Sequence, residues 1–194
     1  RDLHSFPTRL SSDLVNQSGG TVTEVSTAVG AFAIGGRTST SGVGVYNMSG
    51  GTLTANSGIR VGGSGIGTLN QSGGTINAVQ GINIARLAGS FGTNNLNGGT
   101  LATFNIASST GNNAVFNFNG GTLQAAFNPP SATWFSGNIQ ANVLAGGAVI
   151  DSSTNNVTVS TPLLAGSPNG GLTKKGSAGL TLSGINTFTG PITN

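Results

Sequence analysis

Cysteine is absent from the 194 residues of this chain, histidine occurs once, and there are four acidic and seven basic residues. Without Cys there is no disulfide scaffold and no thiolate metal site. Charged residues make up 6% of the chain, against about 25% in an average soluble domain, so most acid–base chemistry lacks its groups. The formal charge of +3 arises from missing acids and not from clustered bases, since the only adjacent cations are Lys174 and Lys175. With no basic stripe to follow a phosphate backbone, nucleic acid is not an expected partner. No apolar run reaches the ~18 residues of a transmembrane helix.

What is present in excess is Gly (34), with 24 Thr, 22 Ser and 22 Asn, together more than half of the molecule. Leu, Ile, Val and Phe sum to 48 residues, about a quarter and above the roughly 20% below which a chain cannot bury a core. We therefore expect a folded protein with a neutral surface of hydroxyls and amides.

Residues 1–14 differ in texture. They hold the single His (His4), two of the seven bases (Arg1, Arg9) and two of the four acids (Asp2, Asp13). The stretch from Asp2 to Leu14 resembles a translated sequencing adapter and lacks the apolar core and small-residue cleavage site of a signal peptide. It reads as non-native, with the fold expected over residues 15–194.

From Val15 onward the chain repeats. Gly19-Gly20-Thr21-Val22 recurs as Gly50-Gly51-Thr52-Leu53, Gly73-Gly74-Thr75-Ile76, Gly98-Gly99-Thr100-Leu101 and Gly120-Gly121-Thr122-Leu123, with echoes at Gly146-Gly147 and Gly170-Gly171. Three residues before each of the five strong pairs stands an Asn: Asn16, Asn47, Asn70, Asn95 and Asn117. Apolar residues alternate around these Asn (Val15, Tyr46, Leu69, Phe116; Met48, Leu96, Phe118), with Gln17, Gln71 and Asn94 as exceptions. Alternation of period two is a strand signal. A second short strand follows in each unit, as in Phe32-Ala33-Ile34, Ile59-Arg60-Val61 and Ile82-Asn83-Ile84. Units of 22 to 26 residues built from short strands and tight corners predict an all-β protein, a right-handed single-stranded parallel β-helix of about seven turns. Gly20, Gly51, Gly74, Gly99 and Gly121 are expected to supply positive φ at the corners, and the Asn row to form a ladder along the axis.

The segment from Gly170 to Thr193 contains Gly170-Gly171-Leu172-Thr173-Lys174, then Gly179-Leu180-Thr181-Leu182-Ser183-Gly184 and Asn186-Thr187-Phe188-Thr189-Gly190. It resembles the passenger-associated transport repeat of bacterial autotransporters, departing at Pro191, where the family usually has Gly, and in one extra residue before Leu180. The resemblance covers about an eighth of the chain. It implies a β-helix passenger displayed on, or secreted from, a Gram-negative-type cell through an outer-membrane translocator barrel that is not in this sequence. It also implies that residues 170–194 aid secretion and folding, and that the chain is a piece of a longer protein. The expected role is a non-catalytic stalk or adhesin-like surface module, contacting glycans or a host surface.

Parallel β-helices also include polysaccharide lyases and glycosidases, so the residues must decide. Beyond residue 14 the acids are Glu24 and Asp151 alone, about five turns apart and so roughly 25 Å from one another along a rod. A glycosidase needs its two carboxylates within about 10 Å. No catalytic residue, metal ligand or cofactor site is expected. The alternative is a piece of a carbohydrate-active β-helix whose catalytic turns lie outside these residues. Two features remain as contact candidates. Arg37, Arg60 and Arg86 fall near the second strand of three successive units, at offsets that give no ladder, and read as solvated cations. The insertion around Pro129 and Pro130 carries Trp134 and Phe135, which read either as an aromatic contact loop or as side chains folded back to fill a wider turn.

Overall fold

The computed structural model describes residues 9–10, 14–26, 32–37, 42–109 and 113–194. Regular structure among them is entirely β, and every named strand pair is parallel. One turn of the coil runs through Val43–Met48, Thr52–Ala55 and Ile59–Val61, and the next through Ile66–Gln71, Thr75–Ala78 and Ile82–Ile84. Each strand hydrogen-bonds to its equivalent one repeat away, so the chain is a parallel β-solenoid with three faces. The Asn face is a 7-stranded sheet, the Thr face an 8-stranded sheet, and the third face a 5-stranded sheet. The seven strands of the Asn face, six steps from first to last, roughly match the seven turns expected from the repeat.

Alternation sets which side chains enter the core. In Val43–Met48, Gly44, Tyr46 and Met48 are buried and Val43, Val45 and Asn47 point outward. The inward residues stack in columns, such as Val22, Leu53, Ile76, Leu101, Leu123 and Ile150 on the Thr face. They join the inward residues of the other faces in one continuous cluster. Corners at Gly20, Gly51, Gly74 and Gly99 have φ between +67° and +80°, the region where a side chain is disfavoured. Gly121 departs from that expectation. Its neighbour Gly120 takes the positive φ, +99°, while a Cβ on Gly121 would lie 2.7 Å from the Leu96 side chain. There glycine is required for space. The change coincides with a wider turn above it, where one extra residue separates Asn142 from Gly146.

The three polar exceptions of the apolar register are all buried. Gln17 and Gln71 serve the corners: Gln17 Nε2 donates to the Thr52 carbonyl (3.1 Å) and Gln71 Nε2 to the Thr100 carbonyl (2.9 Å). Tyr46, the single Tyr, donates its hydroxyl to Gln17 Oε1 at 2.6 Å, and burial pushes its pKa up to about 12.

The insertion after Ala125 replaces one strand of the third face. Phe135 bridges in parallel to Ile106 below and Val159 above, which carries that face onward to the paired strands Val157–Val159 and Leu180–Leu182. Trp134 and Phe135 are fully buried. Phe135 meets Phe116 and Phe118 edge-on at ring-centroid distances of 5.4 and 5.9 Å. The contact-loop reading of this pair is thereby corrected: they fill the wider turn, and the exposed parts of the insertion are Phe127–Asn128, Ser131–Thr133 and Gly137–Asn138.

Arg9–Leu10 pairs in register with Ala33 and Ile34, and Leu14 opens the strand Leu14–Gln17 against Val45. The backbone at these positions therefore continues the coil. His4 and the remainder of residues 1–8 lie outside the described residues. Among the described residues no helix is long and apolar enough to cross a membrane.

Candidate functional site

The Asn row is a ladder. Asn16, Asn47, Asn70, Asn95 and Asn117 occupy equivalent, outward positions on the Asn face. Each amide Nδ2 donates to the Oδ1 of the turn below: Asn47 to Asn16 at 2.9 Å, Asn70 to Asn47 at 2.8 Å, Asn95 to Asn70 at 2.6 Å, and Asn117 to Asn95 at 2.6 Å. Asn142 adds a further rung, donating to Asn117 Oδ1 at 2.8 Å. Sequence reasoning missed it because the extra residue before Gly146 displaces it from the constant offset. A net contribution of about 0.5–1.5 kcal/mol per neutral hydrogen bond, at the low end for half-exposed amides, makes the row a register lock. Each interior amide thus donates to one neighbour and accepts from the other within the ladder.

The C-terminal segment forms the last turns of the coil. Leu172–Lys175 pairs with Ala148–Asp151, and Ile192–Thr193 pairs back onto Leu172 and Thr173. Where the Asn face would continue, Asn186 and Thr187 substitute side chains for strand carbonyls: Asn186 Oδ1 accepts from the Leu163 N–H at 2.8 Å and Thr187 Oγ1 from the Ala165 N–H at 3.1 Å. Phe188 packs against the core cluster. The Asn-Thr-Phe triplet thus satisfies edge donors of the preceding turn and anchors with one aromatic ring, which is how a turn can dock without a regular strand.

Glu24 and Asp151 lie on strands of the Thr face five steps apart, about 24 Å at ~4.8 Å per step. Both are occupied locally: Glu24 accepts from Ser26 N and from the N–H and hydroxyl of Ser57, and Asp151 accepts from Ser153 N and Gln124 Nε2. Among the described residues no group of three His, Cys, Asp or Glu could hold a metal ion.

A concave site is formed on the third face, a cleft of about 220 Å³. Its floor is the outward row Arg60, Asn83 and Ala107, which are register partners on successive turns. One wall is the corner carrying Ser57, Gln80 and Asn105; Arg86 closes the other side. The three arginines form no register ladder, yet they do gather. Gly63 stacks against the Arg37 backbone, and the Arg86 and Leu87 amides bond back to the carbonyls of Gly62 and Gly63. Gly63 thus lies between Gly36 below and Arg86 above, and Arg37 stands one position along, in the column of Ser64 and Leu87, so Arg37 and Arg86 occupy adjacent columns of one corner, two turns apart. Arg60 reaches toward that corner and donates to the Arg37 carbonyl at 3.3 Å. Partial burial first, and then repulsion from Arg86 and Arg37, lowers the Arg60 pKa from its ordinary value. Offsets counted along the strand hid this gathering, which depends on the reach of the Arg60 side chain to the corner. Two buried polar atoms in this region have no hydrogen-bond partner, Arg37 Nε and Asn83 Oδ1.

Comparison with protein-family models, with curated proteins and with solved structures finds no match to this chain.

Proposed function

We propose that this chain is the stalk of a secreted or surface-displayed passenger protein of the autotransporter kind, a non-catalytic spacer whose last turn assists folding during export. The observation that carries the reading is the construction of residues 170–194. Its motif residues Asn186, Thr187 and Phe188 are those that dock the segment on the turn beneath. A solenoid that grows by adding turns to an existing edge suits a chain that emerges progressively from a membrane pore, because each new turn finds a template. The partner in this scheme is an outer-membrane translocator barrel, and the place of action is the outside of a Gram-negative-type cell. Outward rows of Asn, Thr and Ser with few charges give a neutral rod suited to spacing, or to presenting an adhesive surface to glycans or a host. The alternative, part of a carbohydrate-active β-helix with its catalytic turns on other residues, draws support from the polar cleft of the third face.

Export tests the first reading. Residues 15–194 placed between a signal peptide and a translocator barrel should appear on the cell surface as a protease-resistant rod. The double variant Asn186→Ala/Thr187→Ala should lower the surface yield several-fold while total synthesis is unchanged. Equal surface yields for the two proteins would contradict the assigned role of the last turn.

A further inference from the structure

Among the described residues, the cleft of the third face is where this charge-poor molecule gathers its arginines. Of the five arginines in the chain, Arg60 and Arg86 line it and Arg37 stands on the adjoining corner column. The two described acids are spent on neighbouring hydroxyls and amides. Two guanidiniums on one cleft, with a third arginine on the adjoining corner to which Arg60 is bonded through the Arg37 carbonyl, favour an anion, and the planar fork of Arg matches carboxylate and sulfate oxygens.

An anion alone would leave part of the site unserved. The Asn83 amide lines the cleft and its Oδ1 has no hydrogen-bond partner; a hydroxyl can both donate to and accept from an amide, whereas a bare oxyanion only accepts. A polyhydroxylated ligand bearing an anionic group supplies both: its charged oxygens meet the arginines, and a hydroxyl donates to Asn83. The rest of the lining is of the same kind, with Ser57, Gln80 and Asn105 offering amide and hydroxyl groups. No aromatic residue lines the cleft, so a nucleobase would find no stacking platform. At about 220 Å³ it is smaller than the roughly 300 Å³ at which sites for drug-sized ligands begin, a scale suited to a single sugar unit.

We propose that this cleft binds one acidic sugar unit of a polysaccharide, its carboxylate or sulfate held by Arg60 and Arg86 and its hydroxyls by Asn83 and the corner amides. The site deepens the adhesive half of the proposed function and rests on that reading for its biological setting alone. The chemistry is shared by uronates and sulfated sugars, and one oligomer of each kind tells the two apart.

The test is a titration of the purified full chain by calorimetry with tetragalacturonate, a sulfated galactan oligomer, neutral dextran oligomers, inorganic phosphate and a single-stranded oligonucleotide. Binding is expected for tetragalacturonate, the sulfated oligomer or both, the stronger of the two naming the anionic group, and not for dextran. Arg60→Gln and Arg86→Gln should each weaken that binding by about tenfold, the loss expected for one charge-assisted contact. Arg86→Lys keeps the charge without the fork and should recover only part of it. Asn83→Ala should weaken the sugar and leave any phosphate binding unchanged. Lys174→Gln, remote from the cleft, should change nothing, and circular dichroism of each variant confirms the fold. Dextran binding as tight as the acidic sugars, oligonucleotide binding as tight or tighter, or undiminished sugar binding by folded Arg60→Gln and Arg86→Gln would each overturn the proposal. So would the absence of binding by the unsubstituted protein. Because binding is read on purified protein and export in cells, failure here leaves the stalk reading intact.

Discussion

Gly62→Ala is expected to destabilise the protein by about 2–5 kcal/mol, a large loss for the addition of one methyl group. The backbone of Gly62 sits at φ +70°, and a Cβ built there would lie 2.1 Å from the carbonyl oxygen of Phe91 on the next turn. The left-handed conformation costs an L-residue about 1–2 kcal/mol. Relieving a clash with backbone adds about 1–3 kcal/mol, since the obstructing carbonyl belongs to a neighbouring strand and has no rotamer to move to. Ala85, at the equivalent corner one turn on, has φ +51° and carries its Cβ within the core, so conformation alone does not forbid a side chain in this column. Two controls separate the causes. Gly89 has φ +76° with nothing within 4 Å, and Gly19 has open space with no positive φ. Gly89→Ala should therefore show the conformational cost alone, and Gly19→Ala almost none. At ~2–4 °C per kcal/mol for a chain of this size, thermal unfolding followed by circular dichroism should rank them Gly62, Gly89, Gly19, with a loss of roughly 4–20 °C for the first. Equal losses at Gly62 and Gly89 would remove the close approach between turns from the account.

Trp134→Ala should cost about 3–5 kcal/mol, the range for removing a fully buried aromatic side chain. Trp134 is completely inaccessible, and its indole Nε1 donates to the Thr103 carbonyl at 3.4 Å. The cavity would open where the insertion replaces a strand, next to Phe135 in the chain and against the Thr103 carbonyl. The surrounding turns are held by backbone ladders and cannot collapse into it. A fall in melting temperature of roughly 6–20 °C is expected. Phe127→Ala in the same insertion, with Phe127 40% exposed, should change stability by about 0.5 kcal/mol or less. If Trp134→Ala were as mild, the insertion would be a surface loop after all and the aromatic pair would return as a contact site. Trp134 is the only Trp, so its fluorescence in the unsubstituted protein gives a second reading: a blue-shifted, quencher-resistant emission when buried.

The architecture was legible because a solenoid writes its period into the chain. Asn16, Asn47, Asn70, Asn95 and Asn117 share one offset from their Gly pairs, and residues at one offset become neighbours once the turns stack. Legibility failed wherever the period slipped. Asn142 left the row by one residue, and Gly121 exchanged roles with Gly120 beside the same widened turn. Trp134 and Phe135 stood outside the repeat, so only the structure could say that Phe135 continues a face between Ile106 and Val159. The arginine cleft was hidden for a different reason. Arg37, Arg60 and Arg86 sit at unlike positions along their strands, and Arg60 reaches from its strand to the corner that carries the other two. Side-chain reach across a corner is not periodic, and a repeat search does not register it.

The parallel in-register stack underlies every one of these statements, and the absence of cysteine allows it to be probed by introduced pairs. Thr68, Thr93 and Val115 occupy equivalent outward positions on three successive turns of the Asn face. One step of ~4.8 Å lies within the Cα separation of about 4.4–6.8 Å that a disulfide bridges, and two steps do not. Under mild oxidation, Thr68→Cys/Thr93→Cys and Thr93→Cys/Val115→Cys should cross-link readily in the native protein, while Thr68→Cys/Val115→Cys should remain reduced. Cross-linking of the two-step pair, or failure of both one-step pairs, would contradict the solenoid itself.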